Sequence, residues 1–211
     1  HDSITQQVVL ADDAKHKEKL VVALLAKEQA PRSMVFCNTR KGCQELGMAL
    51  KAQKLRVDFI HGELSQSDRK QVMNRFRSGQ VGVLVATDVA ARGLDIDGIT
   101  LVINYNVAQS GDDHVHRIGR TGRAGQVGKA ITLVSSNEWN QMSSIERYLK
   151  LRFEHRKVPG LQASYGGPVK VKKSGKAAGS KKAKVRRSQK KTAQPKKRGG
   201  EIGYKPIKRL S

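Results

Sequence analysis

The chain has 211 residues and carries 41 Lys or Arg against 18 Asp or Glu, a formal charge of +23. That length suits one ordinary domain plus a tail, and so basic a balance points to a polyanionic partner. No apolar run approaches the roughly 20 residues of a membrane span, and the first residues show no signal-peptide pattern, so a soluble, cytoplasmic protein is expected.

The chain does not begin with Met, which suggests a start inside a longer product. Cys37 and Cys43 match neither a zinc knuckle nor a secreted disulfide framework and read as buried reduced thiols. The charge is uneven. Residues 164–211 hold 17 Lys or Arg and one acid, Glu201, a net +16, which leaves +7 of the +23 for residues 1–163.

In chain order, apolar runs alternate with helical patterns, the signature of a parallel sheet covered by helices on both faces. Strands are predicted at Thr5–Leu10, Ser33–Cys37, Arg56–Ile60, Val81–Ala86, Thr100–Asn104 and Ala130–Val134. A helix over Lys15–Gln29 places Leu20, Ala23, Leu24 and Lys27 at helical spacing and is stopped by Pro31. Asn38 or Thr39 caps a second helix running toward Gln53. Ser65 and Asp68 form a variant capping box that opens a third, ending near Gly79. Ser135 and Ser136 begin a last helix through about Phe153, on which Trp139, Tyr148 and Phe153 are expected to pack against the sheet. Pro159 and Gly160 mark the domain end. The expected organisation is an α/β domain over 1–160 and a basic, low-complexity, disordered tail over 161–211 that cannot bury enough to fold alone.

Four segments carry chemistry. In His116–Gly125, the guanidinium groups of Arg117, Arg120 and Arg123 recur at every third position between glycines. Arg offers a planar, permanently charged fork for phosphate oxygens, and Gly lets a backbone approach a ligand. The plain alternative is a solvated basic turn. Val83–Ile96 is a buried strand delivering polar groups at its C-terminal end, where ligands sit in doubly wound sheets. There Thr87 offers a hydroxyl and an amide to phosphate, Arg92 a charge, and Asp95 a carboxylate for a ribose hydroxyl. Alternatively Thr87 and Asp88 only cap a short helix. Met34–Arg40 and His61–Arg69 are again strand ends feeding helices. Asn38, Thr39, Arg40, Gly62, Gln66 and Arg69 would then form one cationic strip for a nucleic-acid backbone. His114 and His116 lack a third ligand of suitable spacing, so no metal site is expected. His16 and His155 read as surface residues.

These segments, in this order, resemble motifs IV, IVa, V and VI of the DEAD-box RNA helicases over about residues 1–158, with Cys37 where Val is usual. The resemblance implies a C-terminal RecA-like domain. It implies Arg120 and Arg123 as arginine fingers for ATP hydrolysis, Asp95 on the ribose, and His116 and Arg117 coupling the nucleotide site to an N-terminal RecA-like domain. It implies Asn38, Thr39, Arg40, Gly62, Gln66, Arg69 and Thr87 on the RNA backbone. Ala11–Asp13, Gln109–Asp112 and the Lys-rich tail are most similar to bacterial helicases of the SrmB type, which makes pre-ribosomal particles an expected partner.

No Gly-x-x-x-x-Gly-Lys-Ser/Thr and no Asp-Glu-Ala-Asp occurs in the chain. ATP with Mg²⁺ would therefore need the other domain, and the chain alone is expected not to hydrolyse it. Two other classes stay open on the residues: an RNA-binding or chaperone-like module acting alone, and a related motor acting on DNA.

Overall fold

A run such as Ser33–Cys37, buried at every position, can only be a strand covered on both faces. In the computed structural model, which describes residues 3–94, 96–122 and 127–178, it is β2, an interior strand of a seven-stranded sheet. The other strands are β1 (Ile4–Leu10), β3 (Val57–Ile60), β4 (Val83–Thr87), β5 (Leu101–Asn104), β6 (Gly128–Val134) and β7 (Glu154–His155). Their order is β3-β4-β2-β5-β6-β1-β7, and every described pairing is parallel.

Alternate residues of these strands serve two cores. On one face Val35, Val85, Ile103 and Ile131 pack with Leu20 and Leu24 of α1 (Ala14–Glu28) and Leu46 and Leu50 of α2 (Arg40–Ala52). On the other, Phe36, Ile60 and Ala86 meet α3 (Gln66–Arg77), α4 (Asp88–Ala91) and Ile118 of α5 (Gly111–Ile118), while Val8 meets Met142 and Ile145 of α6 (Trp139–Leu149). The architecture is the RecA-like α/β fold expected from the alternating pattern.

In a parallel sheet every strand leaves at the same rim, so the helices that follow all begin there. Side-chain caps fix those starts: Asp13 accepts from the His16 amide, Thr39 from Gly42, Ser65 from Asp68 and Ser110 from Asp113, at 2.8 to 3.0 Å, and Thr87 accepts from Ala90 at 3.4 Å. Each cap satisfies an otherwise orphaned amide.

The structure differs from the sequence expectations in several places. The first helix ends at Glu28, one residue before the expected Gln29, which caps it in the left-handed region at φ 47° two residues ahead of Pro31. The last helix starts at Trp139, because Ser135 turns to bind Glu138 through both its amide and its hydroxyl. Tyr148 is 56% exposed and donates its hydroxyl to Asp112 instead of packing on the sheet. His16 is tied to the Leu161 carbonyl at 3.0 Å. The compact unit continues to Ala178, past the boundary expected at residue 160. Asp12 is the reason at its near end. Its carboxylate accepts the Ser164 and Tyr165 amides at 2.9 and 2.8 Å, and those bonds hold its pKa below the usual carboxylate value.

Cys37 and Cys43 are free and buried. Burial pushes both thiols up, Cys43 to about 12, which removes them from thiolate chemistry. Among the described residues no helix is long and apolar enough to cross a membrane.

Candidate nucleotide and nucleic-acid interface

The sheet order places the ends of β3, β4 and β2 side by side. Strands lie roughly 4.8 Å apart, so Gly62, Thr87 and Asn38 span about 10 Å of one rim. Thr39, Arg40, Gly62 and Gln66 are exposed along it, and Arg69 is half-buried. Gly62 has open space where a Cβ would point, so nothing inside the domain requires glycine there. Arg40 pairs with Glu63 across two strand exits, both side chains about 60% exposed. A pair so wet is worth little and is easily exchanged for a phosphate. The N-termini of α2 and α3 add positive potential to the same strip.

The four segments are joined side chain to backbone. Arg69 donates to the Ala90 carbonyl at 2.8 Å, tying α3 to α4. Arg120 donates to the Leu94 carbonyl at 3.0 Å, and the Thr121 hydroxyl to the Ile99 carbonyl at 2.6 Å. Arg92 faces Asp113 at 3.5 Å.

At the centre is Arg117, 1% exposed. It grips Asp88 with two bonds of 2.7 Å, reaches the Asn106 carbonyl at 2.7 Å and Asn38 Oδ1 at 2.6 Å, and lies 5.4 Å over the Phe36 ring. A buried guanidinium is costly unless its donors are met; here four of the five are. Asn38 is equally committed, since its Nδ2 donates to the Val107 carbonyl at 3.0 Å.

In this geometry Arg117 faces inward and organises the rim, and the Asn38 carboxamide is engaged by Arg117 and the Val107 carbonyl. His114 and His116 point apart. His114 is 1% exposed, its Nε2 2.9 Å from Gln6 Oε1, and burial followed by the nearby Arg117 charge lowers its pKa to about 4. His116 is exposed and, with Arg92 and Arg120, borders a shallow depression above Asp88. Asp95 and Arg123 lie outside the described residues.

Sequence reasoning missed Asn106 entirely and gave Asp88 no role beyond the alternative in which it caps a short helix. The Asp88 carboxylate was visible in its motif, but nothing in a sequence pairs residues 29 apart.

The rim of this RecA-like sheet gathers Arg40, Arg69, Arg92, Arg117 and Arg120 from several elements at neighbouring strand exits. Residues 16–125 match the helicase conserved C-terminal domain family. The chain is 41% identical over 166 residues to the DEAD-box ATP-dependent RNA helicase CshA of Geobacillus kaustophilus, covering 79% of this chain and 36% of that one. Its fold matches the E. coli DEAD-box protein SrmB, solved bound to regulator of ribonuclease activity A, with a TM-score of 0.76 and 38% identity over 79% of this chain and 98% of that one. S. cerevisiae Dbp5, solved bound to RNA and ADP BeF3, matches with a TM-score of 0.70 and 30% identity over 74% and 42% of the two chains. The chain belongs to the helicase conserved C-terminal domain family, in its DEAD-box branch. It spans 36% of the CshA relative's length.

Proposed function

We propose that this chain is the second RecA-like half of a cytoplasmic, ATP-dependent RNA helicase. In this reading it supplies arginine fingers and part of the RNA-backbone surface, while an N-terminal RecA-like domain supplies the phosphate cradle and holds Mg²⁺. The observation that carries it is the wiring of four chain segments to one rim through Arg117, Arg69 and Arg120.

His116, Arg92 and Arg120 border one small depression together with Asp88 and Asp113, and their cationic donors would meet a nucleotide phosphate at its edge. ATP, when bound, would supply the transferable phosphoryl group. Arg120, held at the Leu94 carbonyl, and Arg123 would donate to the charge that develops on it; donors placed in advance lower the barrier without reorganising. Asp95 would accept from the ribose hydroxyl. Thr39, Arg40, Gly62, Gln66, Arg69 and Thr87 would hold the RNA sugar-phosphate chain. Dbp5, solved with RNA and a nucleotide mimic, supports this reading, and the likeness to SrmB makes pre-ribosomal particles the target to test first.

The test is ATP turnover with and without RNA, by the chain alone and by the chain fused to a P-loop-bearing RecA-like domain of a relative. Only the fusion is expected to hydrolyse ATP, and only with RNA stimulation. Turnover by the chain alone, or an RNA-indifferent fusion, contradicts the assignment.

A further inference from the structure

Two charged residues outside the four motif segments meet at the rim. Lys17, in the first turn of α1, is 3% exposed and donates to Glu138 Oε2 at 2.5 Å. Glu138, which precedes α6, keeps 16% side-chain exposure. Because α1 covers one face of the sheet and α6 the other, the pair ties the two helix layers together. Taking both charges out of water is costly unless further hydrogen bonds meet them. Ser135 supplies two of these to Glu138, and the rest come from the exit of β5.

That exit, Tyr105–Val107, is held from both sides. On one side Lys17 donates to the Tyr105 carbonyl at 2.8 Å, the Val107 amide donates to Glu138 Oε1 at 3.2 Å, and the Tyr105 hydroxyl donates to the Ala14 carbonyl at 3.0 Å. On the other, the Asn106 carbonyl accepts from Arg117 at 2.7 Å, the Val107 carbonyl accepts from Asn38 Nδ2 at 3.0 Å, and Asn106 Oδ1 accepts from the Asn38 amide at 3.1 Å. Val107 is 2% exposed, so its amide has little water to turn to if Glu138 is removed.

Lys17, Glu138, Tyr105–Val107, Asn38 and Asp88 follow β1, β6, β5, β2 and β4, which is the order of those strands across the sheet. The bonds therefore run from neighbour to neighbour along the rim, and Arg117 closes the series by joining Asn106 and Asn38 to Asp88.

We infer that Lys17 and Glu138 are positioning residues for the nucleotide site. They set the 105–107 turn, the turn sets the acceptors that hold Arg117 and Asn38, and Arg117 fixes the end of α5 that carries His116 and leads to Arg120. This rests on the helicase reading above and adds two residues that touch neither nucleotide nor RNA in it. Donors lower a barrier when they are placed before the charge develops, and a misplacement of about 1 Å can cost on the order of 10²-fold in rate.

Two variants, assayed well below their thermal transitions in the chain fused to a P-loop-bearing RecA-like domain, separate positioning from a plain structural strut. Glu138→Ala leaves Lys17 buried without its counter-charge and should lose both stability and turnover. Lys17→Met combined with Glu138→Leu replaces the pair by apolar groups of similar size, a change that is often neutral or stabilising, but removes both charged anchors of the turn. Its thermal transition should lie above that of Glu138→Ala, while its RNA-stimulated kcat stays roughly 10- to 100-fold below the parent and its KM for ATP is little changed. In nitrogen-edited NMR of the 211-residue chain, the Arg117 Nε–H resonance should shift or broaden in the same double variant. Turnover that recovers along with stability, or an Arg117 resonance that does not move, would reduce the pair to a strut and overturn the inference, while RNA-stimulated turnover by the parent fusion would keep the helicase reading standing. A parent fusion without that turnover would remove the reading and the inference together.

Discussion

Arg117 and Asp88 meet as a bidentate pair, Nε to Oδ1 and Nη2 to Oδ2 both at 2.7 Å, although 29 residues separate them. The pair joins the start of α4 to the end of α5, and through Asn38 and Asn106 it draws in the exits of β2 and β5. It is the strut that holds the rim together. Arg117→Ala should destabilise the domain by about 2 to 3 kcal/mol, below the usual range for a broken buried pair because the Asp88 side chain keeps 23% exposure. Arg117→Lys should rescue little, since an ammonium cannot reach three acceptors in fixed directions. Urea unfolding of both variants measures this, and a fully stable Lys variant would show the fork geometry to be dispensable.

Gly47 and Gly62 should separate packing from function. A Cβ at Gly47 would lie 2.4 Å from Phe59 Cδ1, where α2 crosses β3, while one at Gly62 meets nothing within 4 Å. Gly47→Ala is expected to cost about 1 to 3 kcal/mol by overpacking. Gly62→Ala should stay within about 0.5 kcal/mol in stability but weaken RNA binding by blocking backbone approach. A Gly62→Ala protein with unaltered RNA affinity would remove that residue from the strip.

His114 sets an acid limit on stability. Its folded pKa of about 4 lies below its ordinary value of 6.5 because burial, and then Arg117, disfavour the imidazolium. The unfolded chain therefore takes up a proton first as pH falls. Its contribution is complete above about pH 6.5, declines between 6.5 and 4, and amounts to something on the order of 3 kcal/mol over that window. His114→Gln should flatten this part of the profile relative to the parent, in urea unfolding from pH 7.5 to 4. Parallel profiles for the two proteins would show that His114 is not the group responsible.

Much of this fold was readable from residue order. Ser33–Cys37 is a strand at the expected bounds, Ser65 caps α3 as read, and of the two candidates Asn38 and Thr39 it is Thr39 that caps α2, because strand burial and N-capping are local and leave local marks. The two-residue β7 has no period to detect. The short α5, Gly111–Ile118, was not among the expected helices, because it is only eight residues long and runs into the Arg- and Gly-rich motif. The 161–178 segment read as tail because what fixes it lies elsewhere in the chain, on Asp12, Trp139 and Asn140. Within the site, the rim's membership was legible from motif spacing. Which members face inward was not, since the direction of Arg117 depends on Asp88, Asn38 and Asn106 lying around one point.

The central claim is that Arg120 acts on the reacting phosphate and not on RNA. In the chain fused to a P-loop-bearing partner domain, Arg120→Ala should lower RNA-stimulated kcat by roughly 10³ to 10⁵, the range that finger residues contribute, while the Kd for RNA measured without nucleotide stays near that of the parent. Near-normal turnover by the variant, or a loss of RNA binding equal to the loss of turnover, would contradict it.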